Sequence, residues 1–221
     1  MSGRRADPRD GLYVVGVTGG VASGKSTFVR HLAEAMPAVV VDADRLGHGV
    51  LDLPGIAPQL VGAFGEDVLD ADGRVQRGVL GPRAFATPER LATLNRIVQG
   101  PLTDAVEREL ARLSATFAGL AILDAALLVE WDKGSWCDYV VAVLADPRVR
   151  VERLVARTGL ARAEAERRVD AQLPDGARAA YADATLENAG TLAEFEARSR
   201  DCARALAARA AAALAARGPV G

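Results

Sequence analysis

Short apolar runs alternate along this chain with longer stretches in which apolar residues recur every three or four positions. Residues 12–18 (LYVVGVT) form a Val-rich run bounded by glycine, and residues 38–41, 120–123 and 139–144 are similar; residues 184–187 close the series as a last short strand. Apolar runs of this length without polar alternation predict parallel strands buried on both faces. After a loop at 19–24, Phe28, Val29, Leu32 and Met36 fall on one side of a helix that stops before Pro37. Residues 45–118 read as mostly helical, punctuated by Pro54, Pro58, Pro82, Pro88 and Pro101, with a turn at Asp70-Ala71-Asp72-Gly73. Two Arg-rich helices, 149–157 and 162–172, a short helix at 174–183 and a long Ala/Arg/Glu helix at 191–217 complete the pattern. Strands alternating with helices predict an α/β fold on a parallel sheet. Ligands of such sheets bind beyond the carboxyl ends of the strands. Gly19, the pair Asp42 and Asp44, Asp124 and Asp146 are therefore expected to meet at one edge.

The 221 residues suit a single domain, 11–221, preceded by a loose polar tail at 1–10. With 27 Lys and Arg against 29 Asp and Glu, the formal charge is −2, which argues against a general nucleic-acid binder. The tail lacks the apolar run of a secretion signal, and no stretch reads as a membrane span. Cys137 and Cys202 match no metal spacing and predict reduced thiols in a cytoplasmic protein.

The chemistry begins at Gly19-Gly20-Val21-Ala22-Ser23-Gly24-Lys25-Ser26, which satisfies G-x-x-x-x-G-K-[ST]. The glycines let backbone amides close around phosphate oxygens, and the helix that follows adds its positive end. Lys25 reaches the outer phosphates and Ser26 can ligate Mg²⁺. All but two of the basic residues are arginine; a lysine at this position is the more telling.

Four further features carry alternatives. Asp42-Ala43-Asp44 follows a strand: an acid there accepts a proton from a hydroxyl or orients Mg²⁺ through water, or it caps a helix. Asp124, at the end of the third strand, is an acidic partner for the metal, directly or through water, or a turn residue. Arg150, Arg153 and Arg157 share one helix face, either solvated or closing on the charge of a triphosphate. His31 and His48 read as surface residues, Asp70 and Asp72 as a polar turn, and Phe64, Trp131 and Trp136 as core or pocket wall.

Taken in order, these residues resemble the dephospho-CoA kinase family. Thr18-Gly19-Gly20 with Ser23-Gly24-Lys25-Ser26-Thr27 is followed by Asp42-Ala43-Asp44, Phe64-Gly65, Asp72-Gly73, Arg77 with Leu80, and Phe85 before Pro88-Glu89. Leu127-Leu128 with Glu130, Arg153, Arg157, Gln172, Arg178, Asp183 and Asn188 with Gly190 continue the match. The resemblance implies a P-loop NTPase-type three-layer fold with a parallel sheet, a helical acceptor-binding lobe near 45–118 and a helical lid near 146–183. It implies ATP-dependent phosphorylation of the ribose 3′-hydroxyl of dephospho-CoA, with ATP and Mg²⁺ bound, by a monomer or weak homo-oligomer without nucleic-acid or membrane partners. Asp44, Lys25 and Arg153 take the catalytic positions by this likeness. Gly20 to Thr27, Arg157, Asn188 and Gly190 fall on the nucleotide side, and Asp44, Phe64, Arg77, Leu127, Leu128, Glu130 and Arg178 on the acceptor side; Ser26 and Asp124 take the metal. The pattern departs at Gln99-Gly100-Pro101 for His-Pro, Ala126 for Pro, His48 for Arg, and Arg150 for Gln. Those departures keep two alternatives open: another P-loop kinase of a nucleoside or nucleotide, and a nucleotide-binding regulatory protein without catalysis.

Overall fold

The computed structural model describes residues 11–217; the tail expected at 1–10 lies outside them. In chain order the elements are β1 (Leu12–Gly19), α1 (Lys25–Ala35), β2 (Ala38–Asp42), α2 (Ala43–Leu51), α3 (Ile56–Phe64), α4 (Arg77–Ala84) and α5 (Pro88–Thr116). They continue with β3 (Gly119–Asp124), β4 (Tyr139–Leu144), α6 (Pro147–Thr158), α7 (Arg162–Asp170), α8 (Asp175–Tyr181), β5 (Ala184–Glu187) and α9 (Leu192–Arg217). Two compact units result: one runs to Asp42 and resumes at Glu109, and the other is Ala43–Arg108. The second unit returns to the first earlier than the 45–118 expected, because the division falls inside α5.

In the first unit all five strands are parallel, in the order β2-β3-β1-β4-β5. β1 is buried along its whole length, which is why its sequence is continuously apolar. Tyr13, Val15 and Val17 face a cluster formed with Phe28, Val29 and Leu32 of α1 and Phe195, Ala203, Leu206 and Ala210 of α9. On the other face Gly16 admits Leu128 and Cys137, whose atoms lie 2.7 and 2.6 Å from where a Cβ would stand. β1 is flanked by strands reached through different connections. It is the switch point of the sheet, where α/β proteins open a crevice.

His31 corrects the surface reading. It is 2% exposed, and its Nδ1 lies 2.8 Å from Ser199 Oγ of α9. The local pattern of α1 cannot show this, since the helix that covers His31 arrives 168 residues later. Burial pushes its pKa below the ordinary 6.5.

The second unit has its own core of Ile56, Leu60, Phe64, Val68, Leu80 and Ala84. Pro82 and Pro101 sit inside α4 and α5 rather than ending them. Asp70 and Asp72 form the expected turn: the Asp70 carboxylate accepts from the amides of Asp72 and Arg74 at 3.0 and 2.8 Å. Among the described residues, no helix is long and apolar enough to cross a membrane.

Candidate active site

The loop between β1 and α1 holds Ala22 at φ 60° and Gly24 at φ 102°. Left-handed residues among right-handed ones turn successive amides to one side, which makes a cradle for anions. Gly24 has no space for a side chain: a Cβ would lie 2.4 Å from Asn188 Nδ2 and 2.9 Å from the Phe195 ring. No side chain caps α1; the Thr27 and Phe28 amides donate to Gly24 O at 3.0 and 3.2 Å, and the positive end of the helix lies beside the loop. Lys25 opens that helix and pairs with Asp124, the last residue of β3. Asp42 is the register neighbour of Asp124 on β2, so two carboxylates end adjacent strands. Ser26 is exposed next to Lys25.

Asn188, directly after β5, ties this loop to α6. Its Nδ2 donates to Ser23 O at 2.8 Å, and its Oδ1 accepts from Arg153 at 3.0 Å. Arg153 and Asn188 also line a cavity of about 450 Å³ with Leu144, Val149, Asp175 and Gly190, a volume suited to a small organic ligand. Asp146 lines it too, and caps α6 by accepting from the Arg148 amide at 2.8 Å.

Arg150, one turn before Arg153, is 3% exposed and pairs with Asp175 at 3.2 Å. Burial draws its pKa down, against the opposing pull of Asp175. A Cβ on Gly20 would fall 1.8 Å from its guanidinium, so Arg150 rests on the loop itself. Gln172 accepts from the Val21 amide at 2.8 Å. Arg157 is exposed in the last turn of α6.

The acceptor-side candidates are spread over both units. In the first, Arg178 is buried and pairs with Glu130, while donating to Leu173 O at 2.6 Å. Leu128 is buried at 1% exposure and Leu127 is half-buried. In the second, Asp44 is exposed in the first turn of α2. Arg77 donates to His48 O at 3.3 Å on the same helix, and Phe64 belongs to the apolar core. His48 is exposed, as read from its sequence.

The family model for dephospho-CoA kinase matches residues 13–194. The chain belongs to the dephospho-CoA kinase family. A dephospho-CoA kinase of Geobacter sulfurreducens is 39% identical over 189 residues, covering 85% of this chain and 95% of its relative. One from Anaeromyxobacter dehalogenans is 43% identical over 181 residues, 81% and 85% of the two chains. The crystal structure of TT1252 from Thermus thermophilus superposes with a TM-score of 0.66 at 32% identity, covering 88% of this chain and 97% of that one. Members of the dephospho-CoA kinase family are kinases, and the parallel five-stranded sheet with its phosphate loop is the P-loop kinase arrangement.

The contacts around the loop bring in residues that the sequence named differently. Arg150 was one of three arginines expected either to be solvated or to close on a triphosphate, Gln172 appeared only as part of a late series, and Asp175 not at all. The partners of Gln172 and Arg150 lie about 130 or more residues away on β1 and its loop, or across the α6–α8 segment. A spacing rule can recover the loop but not what leans on it.

Proposed function

We propose that the chain transfers the γ-phosphoryl group of ATP, bound with Mg²⁺, to the ribose 3′-hydroxyl of dephospho-CoA in the cytoplasm, releasing CoA and ADP. One observation carries the reading: in a member of this family, the amide cradle with Lys25 opens beside a cavity of base-binding size, joined to it through Asn188. The loop amides of residues 20–27 and Lys25 hold the phosphates, and the base enters the cavity between Leu144, Val149 and Gly190.

The Ser26 hydroxyl and the Asp124 carboxylate are hard oxygen donors. They fit Mg²⁺, which proteins hold with one or two carboxylates completed by substrate phosphates. When bound, the ion neutralises charge on the transferred group. Lys25 leaves Asp124 for the phosphates as that charge arrives, and Arg153 and Arg157 on α6 add positive charge from the lid side. Asp44 accepts the proton of the 3′-hydroxyl as its oxygen bonds to phosphorus and the bond to ADP breaks. By the family likeness, Arg77 and Phe64 of the second unit and Leu127, Leu128, Glu130 and Arg178 of the first serve the acceptor. Residues 146–183 act as the lid, and closure excludes water from the transfer.

The reading is tested by Asp44→Asn against a panel of acceptors. Dephospho-CoA is the preferred acceptor of the natural sequence, and Asp44→Asn lowers kcat by about 10²- to 10⁴-fold, the usual worth of a general base, with ATP affinity unchanged. Preference for a nucleoside over dephospho-CoA, or near-normal turnover in the variant, refutes the corresponding part.

A further inference from the structure

Arg150 stands where the family resemblance shows glutamine, and its surroundings are unusual for a lid arginine. The side chain is 3% exposed, and its Nε has no hydrogen-bond acceptor among the described residues. Its neighbourhood holds two buried guanidinium groups, Arg150 and Arg178, and the carboxylates of Glu130, Asp170 and Asp175. Glu130 is committed to Arg178; Asp175 is shared, 3.2 Å from Arg150 and 4.0 Å from Arg178. Arg150 thus shares its paired carboxylate with Arg178, feels Asp170 as well, and keeps an orphaned Nε–H in a site where an uncompensated charge is costly.

The same Nη1 that donates to Asp175 rests on Gly20, the second residue of the phosphate loop. The adjoining amide, Val21 N–H, already takes an oxygen there, the carboxamide oxygen of Gln172 at 2.8 Å. That oxygen and the guanidinium converge on one point, 2.9 and 1.8 Å from the position of a Gly20 Cβ. A buried cation and an amide that donates to an oxygen at the same point of an anion cradle are the two halves of a phosphate-oxygen site. The inner phosphates belong to the amides at the start of α1, so this point, on the far arm of the loop, falls to the outermost phosphate.

We propose that Arg150 is a phosphate-binding residue of this chain, giving the terminal phosphate of ATP a fixed cation beside Lys25, with Gln172 holding the Val21 amide until a phosphate oxygen replaces it. The proposal rests on the reading of the loop as a nucleotide site and adds a specificity for triphosphate over diphosphate. Glycine at position 20 is needed for this reason: any side chain there would displace the guanidinium.

The test is calorimetric titration of the Mg²⁺ complexes of the β,γ-imido analogue of ATP and of ADP into the natural protein, Arg150→Gln and Arg150→Lys. Arg150→Gln loses about 10- to 100-fold in affinity for the triphosphate analogue, the worth of one charge-assisted hydrogen bond, and less than about threefold for ADP. Arg150→Lys, which keeps the charge without the fork, recovers part of the triphosphate preference. Equal losses for both nucleotides, or no loss for either, overturn the proposal and leave Arg150 a structural residue. If Arg150→Gln does not melt cooperatively, Arg150→Lys decides alone: a loss confined to the triphosphate supports the proposal, and an equal or absent loss refutes it. The titrations contain no acceptor. A natural protein that favours the triphosphate yet transfers nothing to dephospho-CoA removes the acceptor assignment and leaves Arg150 in place.

Discussion

Replacing Asn188 by Asp changes one atom of the joint between the loop, the cavity and α6, and the structure says which contact suffers. The side chain is 7% exposed. Its Oδ1 accepts from Arg153 at 3.0 Å, and an aspartate oxygen serves Arg153 at least as well. Its Nδ2 donates to Ser23 O at 2.8 Å, and there Asn188→Asp sets a second acceptor against a buried carbonyl. Losing that donor and leaving the buried carbonyl unsatisfied costs about 1–3 kcal/mol. That cost falls on the conformation of the loop, which corresponds to about 5- to 150-fold in nucleotide affinity. Protonation restores the donor, because a carboxylic acid O–H can bond Ser23 O while its other oxygen keeps Arg153. Affinity of Asn188→Asp for the β,γ-imido ATP analogue therefore rises as pH falls from about 8 to about 5.5, while that of Asn188→Ala, which has no proton to gain, stays flat relative to the natural protein. Fluorescence or calorimetric titration across that range measures both. Natural affinity in Asn188→Asp at high pH, or the same pH profile in both variants, refutes the reasoning.

Three further outcomes follow from particular contacts. His31 is buried neutral with its pKa lowered, chiefly by burial and further by Arg30 and Arg200, against Glu34 and Glu196. The unfolded chain then binds the proton first, so stability is full above 6.5 and declines as pH falls from there toward the lowered value; melting scans show a shallower decline in His31→Gln, and parallel declines refute the assignment. Gly24→Ala forces a side chain into the left-handed region and against Asn188 and Phe195. A loss of about 2–4 kcal/mol lowers Tm by about 4–16 °C, and a Tm within about 2 °C of the natural one contradicts it. Arg178→Met leaves the Glu130 charge buried without its partner and costs about 3–5 kcal/mol, whereas Arg178→Met with Glu130→Gln costs less; denaturant melts decide, and additive losses would show that the pair is not coupled.

What could be read from the chain alone was what is encoded locally. The β1 run, the phosphate loop and the start of α1 occupy one continuous segment whose composition and spacing state its structure directly. The strands at Tyr139–Leu144 and Ala184–Glu187 were placed to the residue, because β4 is continuously apolar and β5 is bounded by turn residues. Proline misled: Pro101 removes one hydrogen bond, but α5 runs through it because Leu102, Val106, Leu110 and Leu113 are all buried along the helix. His31 misled for the opposite reason, since Ser199 and the rest of α9 convert a polar position into an interior one. Lys25 and Asn188, named by motif and resemblance, both lie at the phosphate loop. The grip of Gln172 on Val21 and the seat of Arg150 on Gly20 were not legible, because each joins residues that only the sheet order brings together.

The central claim is that this chain phosphorylates the 3′-hydroxyl of dephospho-CoA, and product analysis tests it most directly. Protein, ATP, Mg²⁺ and dephospho-CoA are incubated and followed by ³¹P NMR and mass spectrometry. The account predicts one new phosphomonoester on the 3′-carbon for each ADP formed. ADP without a phosphorylated acceptor, or dephospho-CoA left intact while another alcohol in the mixture is consumed, contradicts it.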